Sequence, residues 1–138
     1  MFFIRGVHKK IIKEFQYLVN DFGFKIIEKS YFSRSIYVKF RSNNCEIAVY
    51  VEGRNYVGLF VTPLIEISGI DVKKDKSFEL FHILDVTCPN LHFKETEERN
   101  LSKEIKRISY YFLEYCKEII KGDFSVWPTL FKRWNRTT

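Results

Sequence analysis

His82, Cys88 and His92 are the residues of this 138-residue chain whose types and spacing come nearest to metal or nucleophile chemistry. A zinc site takes three or four ligands in a tetrahedral array, usually with a close cysteine pair, and no fourth ligand accompanies these three. No metal or other cofactor is expected. Cys88, just before Pro89, could serve as a nucleophile with either histidine as its base, but there is no oxyanion-hole motif and no G-x-S-x-G elbow. Glu95, Glu97 and Glu98 offer carboxylates for acid–base work. They stand beside Lys94 and Arg99 at an expected helix entrance, where the helix dipole favours acids, and read as solvated surface. Gly53, Gly58, Gly69 and Gly122 are isolated, so no P-loop or dinucleotide fingerprint is present. The expectation is a binding protein and not an enzyme.

A second constellation, Tyr37, Lys39, Arg41, Tyr50, Tyr56 and Phe60, interleaves rings with cations. Such a surface can be buried under a carboxy-terminal helix in a helix–sheet–helix sandwich. It can bind protein, where tyrosines supply rigid amphipathic area, or it can stack unpaired bases. Glu46 and Glu52 share the same face and would repel phosphates. The order of expectation is burial first, protein binding second and RNA third.

The net charge of +6 raises the nucleic-acid question again, and its distribution answers part of it. Arg5, Lys9, Lys10 and Lys13 precede the first acid, and Lys132, Arg133 and Arg136 follow the last. Between them, residues 14–128 carry 16 basic and 17 acidic side chains, so the excess belongs to the two chain ends. A nucleic-acid binder would use Lys9, Lys10, Lys13, Lys132, Arg133 and Arg136 gathered on one surface. Lysine outnumbers arginine 15 to 8, whereas bidentate base and phosphate recognition favours arginine.

The elements that must position these groups follow from period. Val7, Ile11, Ile12, Phe15, Leu18, Val19 and Phe22 recur at three- and four-residue steps, which predicts a helix over about 7–22 ending at Gly23. Residues 24–29, 35–41, 45–52 and 56–62 then read as four β-runs, with Ser42-Asn43-Asn44 and Gly53-Arg54-Asn55 as turns. Alternation puts Ile36, Val38, Phe40, Ile47, Val49, Val51, Val57, Leu59 and Val61 on one inner face. Pro63 stops the last run, residues 64–76 read as a loop, and Ser77 is the expected N-cap of a short helix closed by Pro89. Leu101, Ile105, Ile108, Phe112, Tyr115 and Ile119 predict a long helix from Glu97 to Gly122, with a short final helix bearing Phe124, Trp127, Phe131 and Trp134. The sum is one α+β domain over 1–138: an amino-terminal helix, an antiparallel meander of about four strands, and carboxy-terminal helices packed on the sheet. No apolar run reaches membrane-spanning length, the opening Met1-Phe2-Phe3-Ile4-Arg5 is too short for a signal-peptide core, and three widely spaced cysteines suit a reducing compartment. A cytoplasmic protein is expected.

Leu18-Val19-Asn20-Asp21-Phe22-Gly23-Phe24 at the end of the first helix, the meander after it, and a last long helix closing in Lys121-Gly122-Asp123-Phe124 with Trp127 resemble small bacterial proteins of the toxin-immunity type. The resemblance spans most of the chain in layout. It implies a protein that binds and occludes a cognate toxin domain, with no catalytic residue carried over. Immunity partners of basic nuclease toxins are acidic, and this chain is basic, so the resemblance implies a neutral or acidic toxin, or one that is not a nuclease.

Overall fold

The computed structural model describes residues 2–134. Helices α1 (Phe2–Glu14) and α2 (Gln16–Asn20) lead into strands β1 (Lys25–Phe32), β2 (Ser35–Arg41), β3 (Cys45–Glu52) and β4 (Tyr56–Pro63). A two-residue strand β5 (Phe78–Glu79), helix α3 (Leu80–Thr87), a 3-10 turn at Pro89–Leu91, and helices α4 (Leu101–Tyr115), α5 (Lys117–Ile120) and α6 (Trp127–Arg133) follow. The strands form one antiparallel sheet in the order β1-β2-β3-β4-β5, each beside its neighbour in sequence. This is the expected α+β fold with one short strand more than expected.

All nine side chains assigned to the inner face by alternation are buried, from Val38, Phe40, Ile47, Val49 and Val61 at 0% exposure to Ile36 at 3%. Val7, Ile11, Phe15 and Leu18 from the first helices join the same core, as do Ile105, Ile108 and Phe112 of α4. The expected first helix is interrupted at Phe15, whose φ of −102° and ψ of 17° leave helical geometry while its buried ring meets Phe40 at 6.2 Å. Gly23, at φ 74°, then turns the chain so that the Phe24 N–H donates to the Leu18 carbonyl at 2.9 Å.

Helices α1 and α4 lie side by side on the inner face. Tyr17 Oη donates to the Ser109 carbonyl at 2.9 Å and Ser109 Oγ to the Glu14 carbonyl at 2.6 Å, while α1 packs on β2 and α4 on β4. The helix–sheet–helix sandwich is therefore not formed. The apolar stripes of both helices serve one core, and the helical layer covers one face of the sheet.

Further boundaries differ from expectation: the first helix begins at Phe2 and not near residue 7, and β1 runs on to Phe32 and not to residue 29. Ser77 does not cap α3; its Oγ lies 2.6 Å from Thr62 Oγ1, because Phe78 pairs with Val61 and extends the sheet before the helix begins. The long helix starts at Leu101 behind Asn100, whose side chain accepts from the Lys103 N–H at 3.0 Å. It ends at Tyr115, since Cys116 leaves helical geometry before α5 resumes.

The β1–β2 turn has two residues, Ser33 and Arg34, both at positive φ (53° and 70°). Only glycine and, less readily, asparagine take this conformation without strain. Replacing Ser33-Arg34 by Asn-Gly is expected to stabilise the fold by about 0.5–1 kcal/mol, read as a higher midpoint in urea. An unchanged or lower midpoint would show that the hairpin is held in some other way.

Candidate functional site

The outer face of the sheet carries the ring-and-cation constellation. Strand pairing places Tyr37 opposite Tyr50, Tyr50 opposite Gly58, and Lys39 opposite Ala48, with Arg41 opposite Glu46. Tyr50 is the centre. Its ring stacks on Tyr37 and on Phe60, with centroids 5.6 Å away in each case, and tilts against Tyr56 at 5.9 Å. A Cβ built at Gly58 would overlap the Tyr50 ring, so the absence of a side chain there makes room for the tyrosine.

Tyr50 is 7% exposed, while Tyr37, Tyr56 and Phe60 are half-buried. The structure thus brings the four rings into one cluster fixed by mutual contact, and the central ring has no free face on which a base could stack. Lys39 and Arg41 lie to one side, Lys39 3.7 Å from Glu28 and Arg41 2.7 Å from Glu46.

Glu79 completes the cluster. Tyr50 Oη donates to its Oε1 at 2.7 Å and Tyr56 Oη reaches its Oε2 at 3.3 Å and Glu95 Oε2 at 3.5 Å. Burial, followed by the bond to Glu79, raises the Tyr50 phenol far above the ordinary range. Tyr56 is pushed up to about 12, mainly by burial, with the charges of Glu79 and Glu95 adding to it. Both phenols are therefore neutral donors at any physiological pH. Sequence reasoning missed Glu79, which lies beyond Pro63 in a stretch without strand periodicity. It also passed over Gly58, whose position inside a strand was the available signal of a close approach.

The cluster continues at one end into an open groove of about 1010 Å³ bordered by Phe3, Tyr31, Arg34, Tyr37 and Tyr56. Beside it runs β1, an edge strand exposing Ile26, Ile27, Tyr31 and Phe32. A bulge between Ile26 and Glu28 and the charges of Lys25, Glu28 and Lys29 blunt that edge against pairing with another strand.

The candidate cationic surface is distributed differently from the rings. Lys9, Lys10 and Lys13 lie on α1, where Lys10 pairs with Glu14 at 3.1 Å. Lys132 and Arg133 lie on α6, which packs against α3, and Arg133 pairs with Asp85 at 3.0 Å. Arg136 lies outside the described residues.

Asp85, Cys88 and His92 line one pocket of about 310 Å³, and His82 stands apart against the Trp134 ring at 4.2 Å. The Cys88 thiol accepts from the Thr87 hydroxyl at 3.7 Å, and Asp85 is engaged by Arg133. Among the described residues no group of three or more His, Cys, Asp or Glu is arranged to hold a metal ion. Burial pushes the other two thiols up, Cys45 to about 11 and Cys116 to about 12. Of the three glutamates weighed for acid–base work, Glu95 reaches Tyr56, Glu97 lies 3.6 Å from Arg107, and Glu98 uses its backbone N–H to bond Glu104 at 3.0 Å. No helix among the described residues is long and apolar enough to cross a membrane. No protein-family model, curated protein or solved structure matches the chain.

Proposed function

We propose that the protein is a non-enzymatic binding module whose outer sheet face, centred on Tyr37, Tyr50, Tyr56 and Phe60, docks a protein partner, and that the partner is a cognate bacterial toxin domain which it neutralises. The observation that carries the reading is a face left uncovered by the helices yet set in advance by ring stacking and by the Tyr50–Glu79 bond. Rigid aromatic area that needs little ordering on association is what protein interfaces favour. The cluster suits nucleic acid less well, because its central ring is enclosed by its neighbours and carboxylates stand beside it.

Co-expression with the product of an adjacent toxin-like reading frame tests this. Growth is expected to be restored by the wild-type chain and lost with Tyr37→Ala/Phe60→Ala, at an unfolding midpoint that still leaves the chain folded. Truncating the two aromatic anchors that flank Tyr50 is expected to weaken the complex by about 2–4 kcal/mol. Rescue that survives the double substitution sinks the assignment of this face. Nanomolar binding to one oligonucleotide at physiological salt, lost when Lys9, Lys10, Lys132 and Arg133 are replaced by alanine, would replace it with a nucleic-acid function.

A further inference from the structure

The turn between β1 and β2 carries the outer face past the ring cluster. Pairing across the sheet sets Phe32 opposite Ser35, Ser35 opposite Glu52 and Glu52 opposite Tyr56, so Phe32 lies on the outer face in the row next to Tyr37 and Tyr50. At 74% it is the most exposed large apolar side chain among the described residues. Tyr31, opposite the buried Ile36, points to the other side of the sheet and lines the end groove with Phe3; both rings are more than half exposed. At ~200 Å² for a whole aromatic side chain, the three rings leave roughly 400 Å² of apolar surface uncovered around one end of the sheet. That is about half of the ~800 Å² that each partner covers in a stable protein complex, and bare apolar surface of this extent marks an interaction site.

The cations at this end have no counter-charge of their own. Arg34 borders the groove, Arg54 follows Gly53 of its lining, and Arg5 lies one helical turn before His8, whose Nε2 is 3.1 Å from the Ser30 carbonyl of β1. All three are exposed, and among the described residues none of them belongs to an ion pair. The acid in the groove lining is Glu52, which accepts from the Ser35 hydroxyl at 3.1 Å, while Glu79 and Glu95 stand at the far end beside Tyr56. An apolar centre rimmed by arginine is the make-up of a protein interface. Nucleic-acid interfaces are more polar and much more heavily cationic, and here Glu52 sits in the row between Phe32 and Tyr56. A second copy of the chain would set the same three arginines against one another across a two-fold axis.

We infer that the tip of the β1–β2 hairpin is the anchor by which the docking face grips an acidic surface of the protein partner, with Phe32 at the apolar centre of the contact and Arg34, Arg5 and Arg54 opposite carboxylates. The inference rests on the protein-binding reading and specifies the partner's chemistry. It agrees in sign with the +6 of the chain. It also gives the strained turn a use: Ser33 and Arg34 keep a positive φ that Asn-Gly would hold at less cost, and in exchange the apex carries a cation.

Isothermal titration of the full chain with the purified product of the adjacent toxin-like reading frame, at low and high salt, tests it. Phe32→Ala, at a position too exposed to matter to the core, is expected to weaken binding about thirtyfold. Ser33→Asn/Arg34→Gly is the sharper variant, because the same exchange relieves the turn: it is expected to raise the urea midpoint and yet weaken binding about fivefold to twentyfold, with a shallower salt dependence. A stabilised variant that binds undiminished, or indifference to Phe32→Ala, would overturn the inference. So would a wild-type dimer that Phe32→Ala dissociates in sedimentation, which gives the tip to a second copy, or a single-stranded oligonucleotide bound more tightly than the product and weakened by the same variants. Tyr37→Ala/Phe60→Ala separates the two levels. Binding that depends on it but not on the hairpin variants removes the tip and keeps the docking face, whereas a wild-type chain that does not bind, or binding indifferent to every variant, removes both.

Discussion

Replacing Arg107 by methionine is expected to lower the unfolding free energy by about 3–5 kcal/mol, the usual consequence of removing one member of a buried ion pair. Glu104 is fully buried, and Arg107 meets it through Nε at 2.8 Å and Nη2 at 2.9 Å. The same guanidinium donates to the carbonyls of Lys94 at 2.7 Å and Glu95 at 3.3 Å, and lies over the Phe93 ring at 5.0 Å. Glu104 in turn accepts from the Glu98 N–H. The pair therefore pins residues 93–98, including Glu95 with its contact to Tyr56, onto α4. The Met variant leaves Glu104 buried without its partner; adding Glu104→Met is expected to recover part of the loss, since the apolar double variant buries no lone charge. A single-variant loss below about 1 kcal/mol would mean that the site relaxes and admits water, and that the loop is held by other contacts.

The same pair sets a pH dependence. Burial acts to raise the Glu104 carboxyl, but the bonds from Arg107 and from the Glu98 and Glu97 backbone outweigh it and hold the group below its ordinary value of 4.5. A depressed folded-state pKa contributes stability that is complete above the unfolded pKa and is lost as pH falls through the folded one. Wild-type stability should accordingly be flat in this contribution at neutral pH and decline in acid. Glu104→Gln, which cannot titrate, should be less stable at neutral pH and decline less steeply below it. Parallel curves for the two proteins would remove Glu104 as a source of acid lability.

Gly58→Ala carries the second large expected effect, a loss of about 2–3 kcal/mol from an alteration of one methyl group. The new Cβ would occupy the place of the Tyr50 ring. Tyr50 must then swing away, giving up its stacks on Tyr37 and Phe60 and its bond to Glu79. A double-mutant cycle isolates this cause: in a Tyr50→Ala background, Gly58→Ala should have little effect or stabilise slightly, because alanine suits a strand better than glycine. Equal losses in both backgrounds would place the effect in the backbone of β4 instead.

The layout was legible where one physical rule dominates. Alternation identified the inner residues of β2, β3 and β4, and Gly23 marked the first reversal, because burial of one sheet face and positive φ leave direct traces in residue type. Period says which side chains share a face, but not which face a distant helix will cover. That is why the ring cluster was expected under α4, when α4 instead joins α1 on the other side. β5 is too short to show any period, and Glu79 acquires its role only through pairing of that strand with β4. Glu104 and Arg107 sit three residues apart on a charged-looking turn of a helix, where an exposed pair is the ordinary reading. Only the loop folded over them makes the pair buried.

The one-sided helical layer also governs how the chain emerges during synthesis. Strands β1 to β4 follow one another as neighbours and can pair as soon as residue 63 has left the ribosome. The residues that shelter the β4 side of their apolar face extend to α6, and Tyr17 waits for Ser109, 92 positions later. At ~5–20 residues per second the nascent sheet stays partly bare for on the order of several seconds. During that interval the bulge and charges of β1 protect the sheet's edge, but the inner face beyond the part that α1 covers stays open to other apolar surfaces until the later helices arrive.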